Sequence, residues 1–351
     1  MQRALAVLLF VVPVAACGGS SECDPNTESC TYEADVSTLT VAAGAEDEDT
    51  CQSWTLNNPT ELWVNAITQT NNGGYHHANW FFVPDDQFNL PDGTWSCEQN
   101  QFGELIAALQ GGYLFALSTQ SAAETQTLPH NSAIRIPPYS RLIGSSHLLN
   151  TSDEDVTTTM HLAITTVPPS EVKAKLAPAR MSYHALTLEP QTKSAFTMEC
   201  DLQKAYDDVW HKPLVYTLYY VLVHYHSLGI YQQLEIMGGP RDGEVIMHHD
   251  GFGDNAGHPI EPPLDLAAAG ATGLRLTCGF NNPRTAQVGW GIGDQEMCVM
   301  ALQATTNIGW DADVTQGALT GTSATGEMLH SGACSVVSFP WDFDKPGGQG
   351  H

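Results

Sequence analysis

The 351-residue chain predicts an all-β fold of antiparallel sandwiches, and three observations carry that expectation. Apolar and polar residues alternate in short stretches along most of its length. Turn residues rich in Gly, Pro and Asn separate those stretches. Helical periodicity is nearly absent. Taken in order, the stretches are Leu62-Trp63-Val64-Asn65-Ala66-Ile67, Ala78-Asn79-Trp80-Phe81-Phe82-Val83, Ile134-Arg135-Ile136, His161-Leu162-Ala163-Ile164 and residues 215–226. The turns are Asn71-Asn72-Gly73-Gly74, Pro91-Asp92-Gly93, Pro137-Pro138 and Pro168-Pro169. A single short helix is expected over residues 169–176, and the acidic run over residues 45–50 reads as a solvated loop.

Residues 1–17 read as an export address. Gln2-Arg3 gives a positive start, and residues 4–13 form an apolar run short for a bilayer span. The run ends Val14-Ala15-Ala16-Cys17-Gly18, which resembles the bacterial lipobox. That resemblance implies lipid attachment at Cys17. The chain is then expected to be exported and lipid-anchored, and Gly18 favours the outer membrane in a Gram-negative source. Residues 18–36 read as a polar tether and residues 342–351 as a flexible tail. The length between them suggests two domains, placed at residues 37–187 and 188–341.

A formal net charge of −26 with only 13 basic residues leaves no stripe to neutralise phosphates. Nucleic acid is therefore not an expected partner, and membrane contact is expected only through the lipid on Cys17. Eight cysteines remain beyond Cys17, an even number that suits disulfides in an exported protein. Eight cysteines alone do not define a connectivity. Local logic suggests that Cys23 and Cys30 close a small loop and that Cys278 and Cys298 flank the turn leading to Met297. A loop of the latter size stabilises by about 3 kcal/mol in the chain-entropy model.

Three islands carry the chemistry: Tyr75-His76-His77, His224-Tyr225-His226-Ser227-Leu228-Gly229, and Gly293-Asp294-Gln295-Glu296-Met297-Cys298. Imidazole suits several transition metals, whereas a thioether suits copper(I) and serves zinc poorly. Two histidines with a methionine therefore point to copper that visits its reduced state. On a strand, His224 and His226 share a face with Leu218, Tyr220 and Leu222. His76 and His77 are adjacent, so both can ligate one ion only if the backbone bulges there. His248-His249-Asp250, followed by His258, is the best rival metal cluster and reads as an exposed loop. His130, His161, His184, His211 and His330 lack partner spacing, and His351 ends a Gly-rich tail.

The ordered islands resemble the copper type II, ascorbate-dependent monooxygenases, the family of peptidylglycine α-hydroxylating and dopamine β-monooxygenases. Tyr75-His76-His77-Ala78 is similar to the first motif of the family. Ser145-Ser146-His147-Leu148-Leu149-Asn150 fits its third histidine. His224-Tyr225-His226-Ser227-Leu228-Gly229 matches its His-Xaa-His motif with Tyr in place of Thr, and Cys278-Gly279-Phe280-Asn281 with Glu296-Met297-Cys298 matches its methionine signature. The resemblance covers roughly residues 45–340. It implies two tandem antiparallel jelly-roll-like sandwiches and disulfides Cys278–Cys298, Cys51–Cys97 and Cys200–Cys334, which leaves Cys23–Cys30. It also implies two copper ions facing each other across a water-filled interdomain cleft. His76, His77 and His147 would hold one copper. His224, His226 and Met297 would hold the other, where oxygen reacts. Ascorbate or a similar one-electron donor would be co-substrate, with O2 and a small molecule as the other partners.

One departure bears on the substrate. The amidating enzymes hold a peptide carboxylate with Arg, Asn and Tyr at positions that here are Leu222, Val299 and Ala301. A carboxylate needs charge-assisted donors, so a substrate other than a peptidylglycine is expected, unless Arg135, Arg141, Arg241, Arg275 or Arg284 supplies the cation. Gln295 replaces an acidic residue common before the Glu-Met-Cys signature and is expected to tune a ligand's surroundings at most. A non-catalytic copper-binding lipoprotein, for storage or delivery, and a sandwich scaffold that has lost its metal are the other classes considered.

Overall fold

The computed structural model describes residues 23–117, 121–253, 256–291 and 293–342. Cys17 and its lipobox, His351 and nearly all of the expected tail lie outside the described residues. The rest is an all-β, jelly-roll-like protein with two short α-helices, Glu104–Gln110 and Leu202–Trp210.

The strands form two sets of facing sheets. In the first set, one sheet runs Thr31–Val41, Val156–Thr166, Leu62–Thr70, Ser132–Ile136 and Ala174–Lys175, with Ala123–Thr127 also paired to Leu62–Thr70. The other runs Gly93–Ser96, Glu46–Thr55, Ser140–Leu149, Tyr75–Pro84 and Gly112–Leu117. In the second set, one sheet runs Gly257–Asp265, Tyr216–His224, Val299–Thr306, Ala177–Tyr183, Ile308–Val314 and Ser335–Pro340. Its companion runs Val245–Asp250, Gly229–Met237, Gly273–Asn282, Thr192–Asp201, Met328–Ala333 and Gly317–Thr322. The stretches read from the sequence lie in these strands, except that the last runs past its strand: Val215, Tyr225 and His226 fall outside Tyr216–His224.

The strand Tyr75–Pro84 shows why its apolar run is continuous rather than alternating. Trp80 and Phe82 are buried in the core between the first two sheets. Phe81 and Val83 pack on the other face with Ala107 of the helix Glu104–Gln110 and with Ile143. Both faces are covered, so no position needs a polar side chain. The polar Trp80 edge is satisfied inside, where Nε1 donates to Gln69 Oε1 at 2.8 Å. The two sets also touch. Ala116 of the first belongs to the core of the second, and Tyr220 of the second to the core of the first.

All four disulfides form with the expected connectivity: Cys23–Cys30, Cys51–Cys97, Cys200–Cys334 and Cys278–Cys298. Several local expectations change. Residues 169–176 hold a 3-10 turn, Pro169–Glu171, and a two-residue strand instead of a helix, because Pro168-Pro169 fixes the chain and Ala174 pairs with Ser132. The first strand begins at Thr31, inside the expected tether, anchored by the buried Cys30. The acidic run is not a loop, since Glu46 opens the strand Glu46–Thr55. Sheet membership changes between Lys175 and Ala177, ahead of the expected 187/188 junction. The helix Leu202–Trp210 escaped detection because only Leu202 and Tyr206 of it are buried; its N-cap is Asp201, whose side chain accepts from the Lys204 N–H.

Candidate metal centre

The first pair of histidines follows a backbone irregularity. Gly73 and Gly74 take φ of +100° and +78°, values a Cβ resists. The register of Tyr75–Pro84 against Ser140–Leu149 then slips between Tyr75 and His77. This is the bulge that adjacent ligands require. Tyr75 holds it from below: its buried hydroxyl accepts from Gln52 Nε2 at 2.7 Å, and Gln52 in turn accepts from Ser146. After the slip His77 stands directly opposite His147.

The second set is held by three consecutive residues of one loop. The Gln295 carbonyl accepts from His226 Nδ1 at 2.8 Å. The Glu296 carboxylate accepts from the backbone N–H of His226 at 2.8 Å and of Leu228 at 2.7 Å. Met297 places its sulfur 3.2 Å from His224 Nε2. Cys298 ties the loop to Cys278. His224 ends the strand Tyr216–His224, and His226 lies just beyond it. Burial pushes the Glu296 carboxyl up to about 7, against backbone donors that favour its ionised form.

The structure brings both sets into one cluster. Within the sets, the ring centroids of His76 and His77 are 5.4 Å apart and those of His224 and His226 are also 5.4 Å apart. Between them, His76 lies 4.7 Å from His226 and His77 lies 5.5 Å from His224. His147 lies 4.9 Å from His76 and 5.0 Å from His77. The expectation of two sites facing each other across a water-filled cleft therefore changes: the two sets are in contact. The physical reason is the seam between the sheet pairs, where Ala116 and Tyr220 interpenetrate the cores.

This cluster presents buried nitrogens that nothing in the protein satisfies. Among the described residues, His76 Nδ1 and Nε2, His77 Nε2, His147 Nδ1 and His226 Nε2 have no hydrogen-bond partner. Buried polar atoms without partners are costly. Here they converge on one another and on a thioether, the donor set that suits copper. The residues present thus fit such an ion. Burial and the neighbouring histidines hold His76 down at about 3 and His77 well below the ordinary imidazole value, which leaves lone pairs available at neutral pH.

Two contacts select which nitrogen is presented. His226 donates Nδ1–H to the Gln295 carbonyl, which leaves Nε2. His147 Nε2 lies 2.9 Å from Glu46 Oε1, which leaves Nδ1. Such outer partners orient metal-binding histidines. Sequence reasoning missed Glu46. Its only signal is strand register: Glu46 pairs with Leu149, which puts it diagonally beside His147 on one face. Gln295 acts on the surroundings of His226, as expected, but through its backbone carbonyl and not its side chain.

A cavity of about 420 Å³ opens on the cluster, lined by His77, His224 and Met297. Leu222, Val299 and Ala301 line it as well, so the three positions read as an absent carboxylate clamp do face this space. Aromatic walls come from Phe81, Tyr113, Trp290, Trp310 and Phe339. The candidate arginines are engaged elsewhere: Arg135 with Glu61, Arg141 with Asp92, Arg241 with Glu244, Arg275 with Glu199 and Glu235, Arg284 with Asp294. The cation among the described lining residues is Arg180, which the sequence did not single out. It is held by Asp311 through two hydrogen bonds of 2.9 and 2.8 Å. Glu104, bound by Asn79 at 3.0 Å, adds a further negative charge to the wall.

No protein-family model and no curated protein matches the chain. Among solved structures it is similar to the major capsid protein P2 from bacteriophage PM2, with a TM-score of 0.31 and 10% identity over 79% of this chain and 97% of that one. It is also similar to a peptide-N(4)-(N-acetyl-β-D-glucosaminyl)asparagine amidase, with a TM-score of 0.33 and 8% identity over 77% and 96%. These likenesses carry no argument about chemistry.

Proposed function

We propose that this protein is a copper-dependent monooxygenase that hydroxylates a C–H bond of a mainly apolar small molecule. The observation that carries the reading is the convergence of five histidines and Met297 beside an apolar cavity. His76, His77 and His147 would hold one copper, and His224, His226 and Met297 a second. Copper supplies one-electron redox chemistry toward dioxygen when bound. The overall change is balanced as R–H, O2, two electrons and two protons giving R–OH and water, with ascorbate or a similar one-electron donor supplying the electrons.

The chain's own residues account for binding and exclusion. Leu222, Val299, Ala301 and the aromatic walls take up apolar substrate surface and shed water from the cavity. Arg180 is neutralised by Asp311, and Glu104 remains, so the charges facing the cavity disfavour an anion. The thioether of Met297 favours the reduced state of a copper beside it. Export with a lipid on Cys17 is part of the same proposal. The disulfides suit an oxidising compartment.

Oxygen uptake by the copper-loaded protein with ascorbate tests the reading. A panel of neutral aromatic and aliphatic compounds should include one that raises uptake and is recovered hydroxylated. Glycine-extended peptides should not release glyoxylate. Copper binding without uptake on any compound would favour storage or delivery of copper instead.

A further inference from the structure

We propose that His249 and His258 form a further metal site, for one divalent transition-metal ion of the imidazole-preferring kind, such as copper(II) or zinc(II). The sequence reads His248-His249-Asp250 as one exposed loop cluster. The structure makes it part of the strand Val245–Asp250, and a strand sends successive side chains to opposite faces. His248 is spent on its own side. Its Nδ1 lies 3.0 Å from Gln233 Oε1, its Nε2 3.0 Å from Asp250 Oδ1, and its ring stacks on Tyr231. His249 faces the other way and meets His258.

The meeting point is the open edge of the second sandwich. The strand Val245–Asp250 is the edge of one sheet, and Gly257–Asp265 is the edge of the facing sheet. Across that edge His249 Nδ1 and His258 Nε2 lie 2.9 Å apart, with the rings at 72°. Two imidazole nitrogens at about 2.0–2.1 Å from one tetragonal copper(II), at a right angle, would be separated by about 2.9 Å, and on a tetrahedral zinc(II) by about 3.3 Å. The pair, hydrogen-bonded to each other without metal, is therefore already spaced as a cis ligand pair for copper(II) and within a few tenths of an ångström of one for zinc(II). Both rings are half-buried, so water can complete the coordination from outside. Burial favours the neutral, ligating form of both. Tyr225, which separates His224 from His226 in sequence, packs against the His249 ring at 6.1 Å.

Copper(II) alone, titrated into the full chain and followed by electron paramagnetic resonance, tests the assignment. His249→Gln and His258→Gln should each lose the same single equivalent, and His248→Gln should keep it. Equal stoichiometry and affinity in all four proteins would overturn the proposal. A second measurement needs no variant. Zinc(II) should protect His249 and His258 together, several-fold, from carbethoxylation mapped by mass spectrometry, while His130 goes on reacting. Unchanged reactivity of the pair would equally overturn it.

Discussion

Glu296→Ala should be among the most damaging single changes in the second sheet pair. Glu296 is 1% exposed and accepts from the backbone of His226 and Leu228 at 2.8 and 2.7 Å. Alanine leaves the buried His226 N–H and the half-buried Leu228 N–H without this acceptor. Above pH 7, where the Glu296 carboxyl is ionised, such hydrogen bonds contribute about 1.5–3 kcal/mol each, and a buried orphan donor costs a similar amount. Loss of the buried carboxylate's own desolvation cost offsets part of this. The net expectation is a destabilisation of about 3–5 kcal/mol. Urea unfolding of the metal-free protein, followed by tryptophan fluorescence, measures it. Gln295→Ala is the control. It removes a side chain that accepts from Gly289 N–H but keeps the carbonyl that holds His226, so it should cost about 1 kcal/mol or less. Glu296→Ala within about 1 kcal/mol of the parent protein would refute the claim that this carboxylate organises the His226–Leu228 backbone.

Three further outcomes are expected. Met297→Ala should keep copper on the remaining histidines but lose most turnover, and Met297→His should also bind copper without restoring activity; full turnover in Met297→Ala would remove Met297 from the site. Glu46→Ala should cost about 1 kcal/mol or less in stability, since the carboxylate is exposed, yet weaken copper retention by about tenfold or more in chelator competition by freeing the His147 ring. The metal-free protein should lose stability as pH falls. His76, His77 and His226 are all held below the ordinary imidazole value, so the unfolded chain gains their protons first; Glu296, held up at about 7, gains its proton first in the folded chain and offsets one of the three. The loss begins near pH 6.5, continues toward about pH 3 where His76 titrates, and approaches about 1.4 kcal/mol per pH unit per histidine. A flat stability between pH 7 and pH 5 would contradict it.

Much of this architecture was legible in the sequence, and the misses share a cause. Period-two patterning located the core strands because burial on one face is a local signal. The bulge at His76-His77 was legible because two adjacent strand residues cannot otherwise share an ion, and Gly73-Gly74 marks where the backbone can bend. The disulfides followed from spacing and from the family resemblance. What escaped depended on partners distant in the chain. Glu46 sits in an acidic run that looks like solvent-facing loop until strand pairing sets it beside His147. Arg180 gains its place at the cavity from its neighbours in the sheet, and His249 separates from His248 only when their strand is known. The contact between the two ligand sets depends on how the sheet pairs pack, which no motif encodes.

Copper stoichiometry tests the central claim most directly. The loaded protein should bind copper in the buried cluster through two separable sets, beyond any ion at the His249–His258 edge. His224→Ala/His226→Ala should remove one buried equivalent and leave the equivalent held by His76, His77 and His147. Loss of all buried copper in that double variant would show a single shared site, and retention of all of it, or of zinc in preference to copper at equal exposure, would contradict the account outright.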